Sequence, residues 1–177
     1  MNNWKRINRK VGYESKFVTV FEDEVELPNG TKIPDYTVVK KPDFSMIVAT
    51  DPDGKVVMIK EYKYAINQKI WTLPAGHIES NETILENATK ELREETGYIA
   101  ENFEELGILN DYPSKDCHSA HIIRARNITP GPTEHEATES ISSTKLFTPD
   151  EIKQKIKSGE IHASGVIAAL ALAGILF

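Results

Sequence analysis

Three glutamates, Glu91, Glu94 and Glu95, fall within one turn and a half of a segment whose pattern predicts a helix over residues 83–96. Spacings of three and four residues place their carboxylates on overlapping faces of that helix. Like charges this close repel, and acids near a helix C-terminus oppose the backbone dipole, so the cluster needs a compensating partner. Hard oxygen donors grouped in this way suit Mg²⁺ or Mn²⁺. A solvated charged face is the other reading, because Lys90 and Arg93 supply cations of their own. Spacing alone leaves both open. A second group, Cys117-His118-Ser119-Ala120-His121, holds zinc-type ligands. A strand beginning at Ala120 aims the two histidines at opposite faces, and no second ligand pair stands nearby in the chain, so zinc is set aside. Cys117 lacks the glycine-rich or basic setting that activates a thiol, and reads as a buried or idle one.

The elements that must hold these side chains are legible in outline. Thr83 is an N-cap residue, Glu86 completes a capping box with it, and Gly97 stands where a helix-terminating glycine belongs. Leu85, Ala88 and Leu92 form the stripe expected to face a core. Residues 1–10 are basic and polar apart from Trp4, and a β-like pattern runs from Tyr13 to Val39, broken by Pro28-Asn29-Gly30. A second hairpin joins Phe44–Thr50 to Lys55–Tyr62 through Asp51-Pro52-Asp53-Gly54, and a short strand over 70–73 stops at Pro74. Strands are expected near 104–109, 120–125 and 142–147, a loop over 126–139, a helix opening at Thr148-Pro149 and running to Lys157, and a last helix from Ser164 to about Leu176. Strands and helices mix without regular alternation, which points to the α+β class.

Charge narrows the partners. The 177 residues carry 21 Lys+Arg against 27 Asp+Glu, a net charge of −6, and no basic block of the kind nucleic-acid binders carry. An acidic protein that handles phosphates needs a divalent cation between the two sets of negative charge. The N-terminus is too polar for a signal peptide, and the longest apolar run, residues 165–177, is short of the ~20 residues that span a bilayer. A cytoplasmic protein with neither nucleic acid nor membrane as partner is the expectation.

Residues 76–98 read G-x5-E-x7-K-E-L-x-E-E-x-G-Y. This resembles the Nudix box, G-x5-E-x7-R-E-U-x-E-E-x-G-U with U a bulky apolar residue, and Gly76, Glu82, Glu91, Leu92, Glu94, Glu95 and Gly97 fall in register. One fixed position departs: Lys90 stands where the family has arginine, and lysine cannot fork two hydrogen bonds to carboxylates as a guanidinium does. Leu73-Pro74-Ala75-Gly76, Glu61-Tyr62-Lys63-Tyr64, the run from Trp4 to Val39 and Pro113, sixteen positions after Gly97, are similar to the ADP-ribose pyrophosphatase branch. Ser114-Lys115 departs from that branch, which has glycine after the proline, and Lys63 stands where arginine is common.

The resemblance implies a Nudix fold, a mixed β-sheet sandwiched between helices, with a small N-terminal antiparallel β segment (residues 1–43) before the hydrolase domain (44–177). It implies Mg²⁺-dependent hydrolysis, with Mn²⁺ possible, of a nucleoside diphosphate linked to another moiety, ADP-ribose first. Glu91, Glu95 and the Ala75 carbonyl would hold metal, Glu94 would complete the cluster, and Glu82 and Lys90 would support it. The base would be a loop glutamate, Glu139 before Glu136, with Glu134 also in reach. Trp4, Lys63, Gly76 and Pro113 would meet the substrate, although Trp4 packing on its own sheet is an equal reading. A homodimer sharing the N-terminal segment is expected. The alternatives are another nucleotide sugar or a nucleoside triphosphate as substrate, or a catalytically silent module that senses nucleotide.

Overall fold

The Asn29-Gly30 pair closes a tight turn, with Gly30 at φ +82° and its N–H donating to the Leu27 carbonyl at 2.9 Å. The strands on either side therefore run antiparallel. The computed structural model describes residues 3–131 and 141–177, and the chain divides into two units. The first comprises the chain up to Asp43 with Asn110–Ser119, and the second comprises Phe44–Leu109 with Ala120–Phe177.

In the first unit β1 (Lys5–Glu14), β2 (Thr19–Glu26) and β3 (Lys32–Lys40) form an antiparallel sheet in that order. β1 carries no alternating burial, since all ten residues are exposed, and so its polar sequence concealed a strand. Its cations are matched by acids across the ladder: Arg9 pairs with Asp23 and Lys10 with Glu22. That pairing also makes β2 continuous through Glu22-Asp23, where the sequence suggested two runs. Arg9 donates two hydrogen bonds of 2.7 Å to Asp23 and lies over the Phe21 ring. Asn110–Ser119 belongs to this unit, not to the domain the sequence placed it in. Its backbone continues the sheet beyond β3, with Val39 N–H donating to Lys115 and Cys117 N–H to Val39. The Tyr36 hydroxyl donates to the Ser114 carbonyl, and Lys41 pairs with Asp116 at 2.5 Å.

The second unit is built on a seven-stranded mixed sheet. β4 (Phe44–Thr50) and β5 (Val56–Lys63) meet only beside their turn, at Thr50 and Val56, and then diverge. Into the fork runs the next stretch, β6 (Gln68–Thr72) paired with β5 and β7 (Ala75–His77) paired with β4. The change of partner falls at Leu73-Pro74, where proline has no N–H to continue a ladder, while its carbonyl still accepts from Ile47 N–H at 2.9 Å. After α1 (Ile84–Thr96) come β8 (Tyr98–Ile99), β9 (Asn102–Leu109), β10 (Ala120–Arg126), β11 (Thr129–Pro130) and β12 (Ile141–Phe147). β10 lies parallel to β4 and antiparallel to β9, β12 flanks β5, and β11 pairs with β8. α2 (Pro149–Ser158) and α3 (Ser164–Leu172) end the chain.

Period-two alternation sends each strand's apolar residues to both faces. Met46, Val48, Val56, Met58 and Ile122 meet Ile152 of α2 and Val166, Ala169 and Leu170 of α3. Ile47, Ala49, Val57, Ile123 and Ala125 meet Ala88 and Leu92 of α1. A mixed sheet between helices is the architecture expected, and burying an isoleucine such as Ile47 contributes about 2 kcal/mol. Two expectations fail. Leu85 is 44% exposed, because the buried stripe of α1 runs through Asn87, Ala88, Glu91, Leu92 and Glu95 instead. α3 stops at Leu172, four residues short, since Gly174 takes a left-handed φ of +74°.

The Arg9 hydrogen bonds hold the Asp23 carboxyl below the usual carboxylate range despite its burial. The stability this gives is present above the ordinary carboxylate pKa of about 4 and is lost as pH falls through the lowered value. Asp23→Asn should therefore lower Tm at pH 7 by about 3 °C, for a loss of about 1 kcal/mol. Melting curves repeated as pH falls through the lowered Asp23 value should bring variant and wild type progressively together.

Candidate active site

Helix α1 starts with a capping box: the Thr83 side chain accepts from Glu86 N–H at 3.2 Å, and the Glu86 carboxylate accepts from Thr83 N–H at 2.8 Å. It ends where Gly97 turns left-handed, its N–H donating to the Arg93 carbonyl. Between these fixed ends, positions 87, 91 and 95 repeat every four residues on the side packed toward the sheet. An ordinary core helix would carry apolar residues there. This one buries Asn87, Glu91 and Glu95, at 0%, 9% and 7% exposure.

The two carboxylates are met by β7. Ala75 N–H donates to Glu95 Oε2 at 2.9 Å. Glu91 lies against Gly76, where a Cβ would come within 2.1 Å of its Cδ and 2.3 Å of Oε1. Gly76 is thus fixed by contact, and the missing side chain leaves the recess that Glu91 fills. Ser45 of β4 stands opposite Gly76 in the ladder. Its hydroxyl donates to Asn87 Oδ1 at 2.6 Å, and Asn87 Nδ2 donates to the His77 carbonyl at 2.9 Å.

Glu82, just before the helix, accepts from Glu79 N–H at 2.8 Å, from Asn87 Nδ2 at 2.7 Å and from Lys90. Burial works to raise its pKa, but these donors prevail and hold it below the usual range. Burial works to lower that of Lys90, and the carboxylates of Glu82 and Glu91 prevail to raise it. Lys90 is thus held as a cation between two carboxylates, at 3.2 Å from Glu82 and 3.4 Å from Glu91.

The structure gathers Ala75, Gly76, Glu82, Lys90, Glu91 and Glu95 of the residues singled out in the sequence. Glu94 is half-buried and accepts from Arg93 at 3.2 Å. Lys63 ends β5 and pairs with Glu61 at 2.5 Å. Trp4, 49% exposed and edge-on to Tyr36, and Pro113 belong to the first unit. Glu134, Glu136 and Glu139 lie outside the described residues. Sequence reasoning missed Asn87 and Ser45, because position 87 lies outside the predicted apolar stripe of Leu85, Ala88 and Leu92.

His118 lies in the first unit within 4 Å of Asp111 and Asp116, while His121 lies in the second, bonded to Glu105 at 2.7 Å. Cys117 is exposed. Among the described residues no three His, Cys, Asp or Glu side chains are grouped closely enough to hold a metal by themselves. What the site offers is two buried carboxylates beside a loop backbone, all oxygen donors around a glycine recess. That chemistry fits a hard divalent cation.

Comparison with known proteins agrees. Residues 39–170 match the NUDIX domain, and residues 4–39 match the nucleoside diphosphate sugar hydrolase N-terminal domain. A CMP-5'-(N-acetyl-N-hydroxy-3-aminopropyl)phosphonate hydrolase of Streptomyces rubellomurinus is 28% identical over 97% of this chain and 83% of its own. An ADP-ribose pyrophosphatase of Bacillus subtilis is 28% identical over 89% of this chain and 85% of its own. The crystal structure of an ADP compounds hydrolase shares the fold, with a TM-score of 0.84 at 21% identity over 98% of this chain and 93% of the other. Hydrolases of this family generally use divalent metal ions. With the box residues in register and the match spanning most of its length, the chain belongs to the NUDIX domain family and is a Nudix hydrolase.

Proposed function

We propose that the protein hydrolyses a nucleoside diphosphate joined to a second moiety, ADP-ribose first, to give AMP and ribose 5-phosphate. The observation that carries this is the pair of buried carboxylates, Glu91 and Glu95, seated against Ala75-Gly76. Burying two acids is costly unless a cation or donors compensate. A diphosphate is also anionic, and a bound Mg²⁺ or Mn²⁺ neutralises both and polarises phosphorus. Glu91, Glu95 and the Ala75 carbonyl would hold that ion, and Glu94 would extend the set. Ala75 N–H orients Glu95 and Asn87 orients Glu82, while Lys90 supplies compensating charge. Proton removal from the attacking water falls to Glu139, or to Glu136 after it. The sugar hydrolase N-terminal domain and the B. subtilis relative support the ADP-ribose reading. The Streptomyces relative, whose name gives a CMP-linked phosphonate, keeps another nucleotide conjugate as the second reading.

The N-terminal unit supports a homodimer. Trp4, Ile7, Val11, Tyr13 and Phe17 are each about half exposed on or beside β1, an edge strand. Open edges and exposed apolar side chains are liabilities that a two-fold partner covers. The same segment, with Trp4 and Pro113, is our candidate for the nucleoside pocket, and Lys63 for a phosphate contact. A cytoplasmic setting suits such a substrate, and no helix among the described residues is long and apolar enough to cross a membrane.

ADP-ribose has no terminal phosphate, so alkaline phosphatase releases inorganic phosphate only after cleavage. With Mg²⁺ present, phosphate should appear; release from other nucleotide conjugates alone selects the second reading, and none from a broad panel selects a silent module. Glu95→Gln should lower kcat by roughly 10²-fold or more while the protein stays folded. Near-wild-type turnover in saturating Mg²⁺ would remove Glu95 from the site. Gly76→Ala should lose most activity by driving Glu91 from its recess. Light scattering at micromolar concentration should give twice 19.9 kDa, and a monomer mass would overturn the dimer.

A further inference from the structure

Replacing the box arginine by Lys90 removes a planar fork and leaves a point charge. The Lys90 ammonium lies 3.2 and 3.4 Å from the Glu82 oxygens and 3.4 Å from Glu91 Oε1. These are long for charge-assisted bonds, which run at about 2.7–2.9 Å. The lysine neutralises the two acids without fixing their direction. A different group does that. Asn87 Nδ2 stands 2.7 Å from Glu82 Oε1, 2.9 Å from the His77 carbonyl and 3.4 Å from Glu91 Oε1. Three oxygens face one end of the amide, so that end is the NH₂ group. Its two protons serve Glu82 and His77, and Glu91 takes the weaker share. The other end is pinned by the Ser45 hydroxyl at 2.6 Å, and both Ser45 and Asn87 are fully buried. Position 87 falls among the seven variable residues of the box, so the motif does not account for an asparagine there.

We infer that Asn87, locked by Ser45, is a positioning residue that supplies the directional donor Lys90 cannot, so that an amide and an ammonium together replace one guanidinium. The arrangement ties three parts of the site to one side chain: the loop after Gly76 through His77, the helix entrance through Glu82, and the buried acid Glu91. Ser45 sits opposite Gly76 in the β4–β7 ladder, so the sheet sets the amide's position, and the amide fixes Glu82 and the His77 carbonyl directly and reaches Glu91 at 3.4 Å. The inference rests on the proposed hydrolase reading for its kinetic test and is independent of it for its binding test.

The full chain and its variants Asn87→Ala, Ser45→Ala, Lys90→Arg and Asn87→Ala/Lys90→Arg are titrated with Mn²⁺ by electron paramagnetic resonance and assayed with ADP-ribose. Asn87→Ala should weaken Mn²⁺ binding about tenfold and lower kcat by a similar factor with KM little changed. Lys90→Arg alone should change Mn²⁺ binding less than Asn87→Ala does, because its charge is kept and only the fork is added. In the Asn87→Ala background it should recover most of the loss, because a guanidinium reaches both carboxylates, and the cycle is then strongly non-additive. Unchanged Mn²⁺ binding in Asn87→Ala, or single effects that simply add in the double variant, would overturn the inference, since a packing role gives arginine nothing to restore. Should Asn87→Ala lose its cooperative melt, Ser45→Ala decides: about threefold weaker Mn²⁺ binding, restored by Lys90→Arg, supports the inference, and unchanged binding overturns it. A wild type that binds Mn²⁺ but cleaves no nucleotide refutes the hydrolase reading alone, and one that binds no Mn²⁺ refutes the inference.

Discussion

Carboxylates buried on a helix face must be satisfied by whatever the facing strand presents, and in this protein that demand organises the second unit around β7. Glu95 takes the Ala75 N–H, and Glu91 takes the space that Gly76 leaves open. Both depend on a strand only three residues long, delivered by a fork between β4 and β5 that would otherwise close as a plain hairpin. Pro74 is what makes the delivery possible. It ends the pairing with β5 and lets the chain resume against β4 one residue later. The fork, the proline, the glycine and the helix form one construction, and changing any of them moves the acids.

The electrostatics follow from the same geometry. An uncompensated buried charge is among the most destabilising features a fold can hold. The site answers with neutral donors as well as a cation. Backbone N–H groups of Glu79 and Ala75, the Asn87 amide and the Lys90 ammonium share three carboxylates. Carboxylates grouped beside the β7 backbone are oxygen donors of the kind that attract and hold a divalent cation.

The first unit shows the opposite economy. A three-stranded sheet has little surface to bury, and among the described residues Val25 and Asp23 are its only buried strand residues. Its order rests on cross-strand ion pairs, on Arg9 stacked over Phe21, and on Asn110–Ser119 joining the edge of β3. Such a unit leaves apolar side chains uncovered by its own chain, consistent with a surface meant for a partner or a ligand.

Helix α1 was readable to its caps because capping boxes and terminating glycines act over three or four residues, within reach of local sequence. The turn joining β4 to β5 and the glutamate cluster were legible for the same reason, and the box spacing named the family, whereas the predicted β4–β5 hairpin opens after one pair to admit β6 and β7. What sequence could not reveal depends on contacts between distant segments. β1 is a strand because its cations meet the acids of β2, and no alternation of its own announces it. Residues 110–119 join the first unit through hydrogen bonds to Val39, more than seventy positions away. Leu85 looked like core and is exposed, while Asn87 looked like surface and is buried, because the sheet meets the helix on the stripe of Asn87, Glu91 and Glu95. Sequence determined which acids are available and that they sit on one helix. Only the tertiary structure decided which of them are buried, against what, and that Ser45, forty-two residues upstream, holds the Asn87 amide beside Glu82.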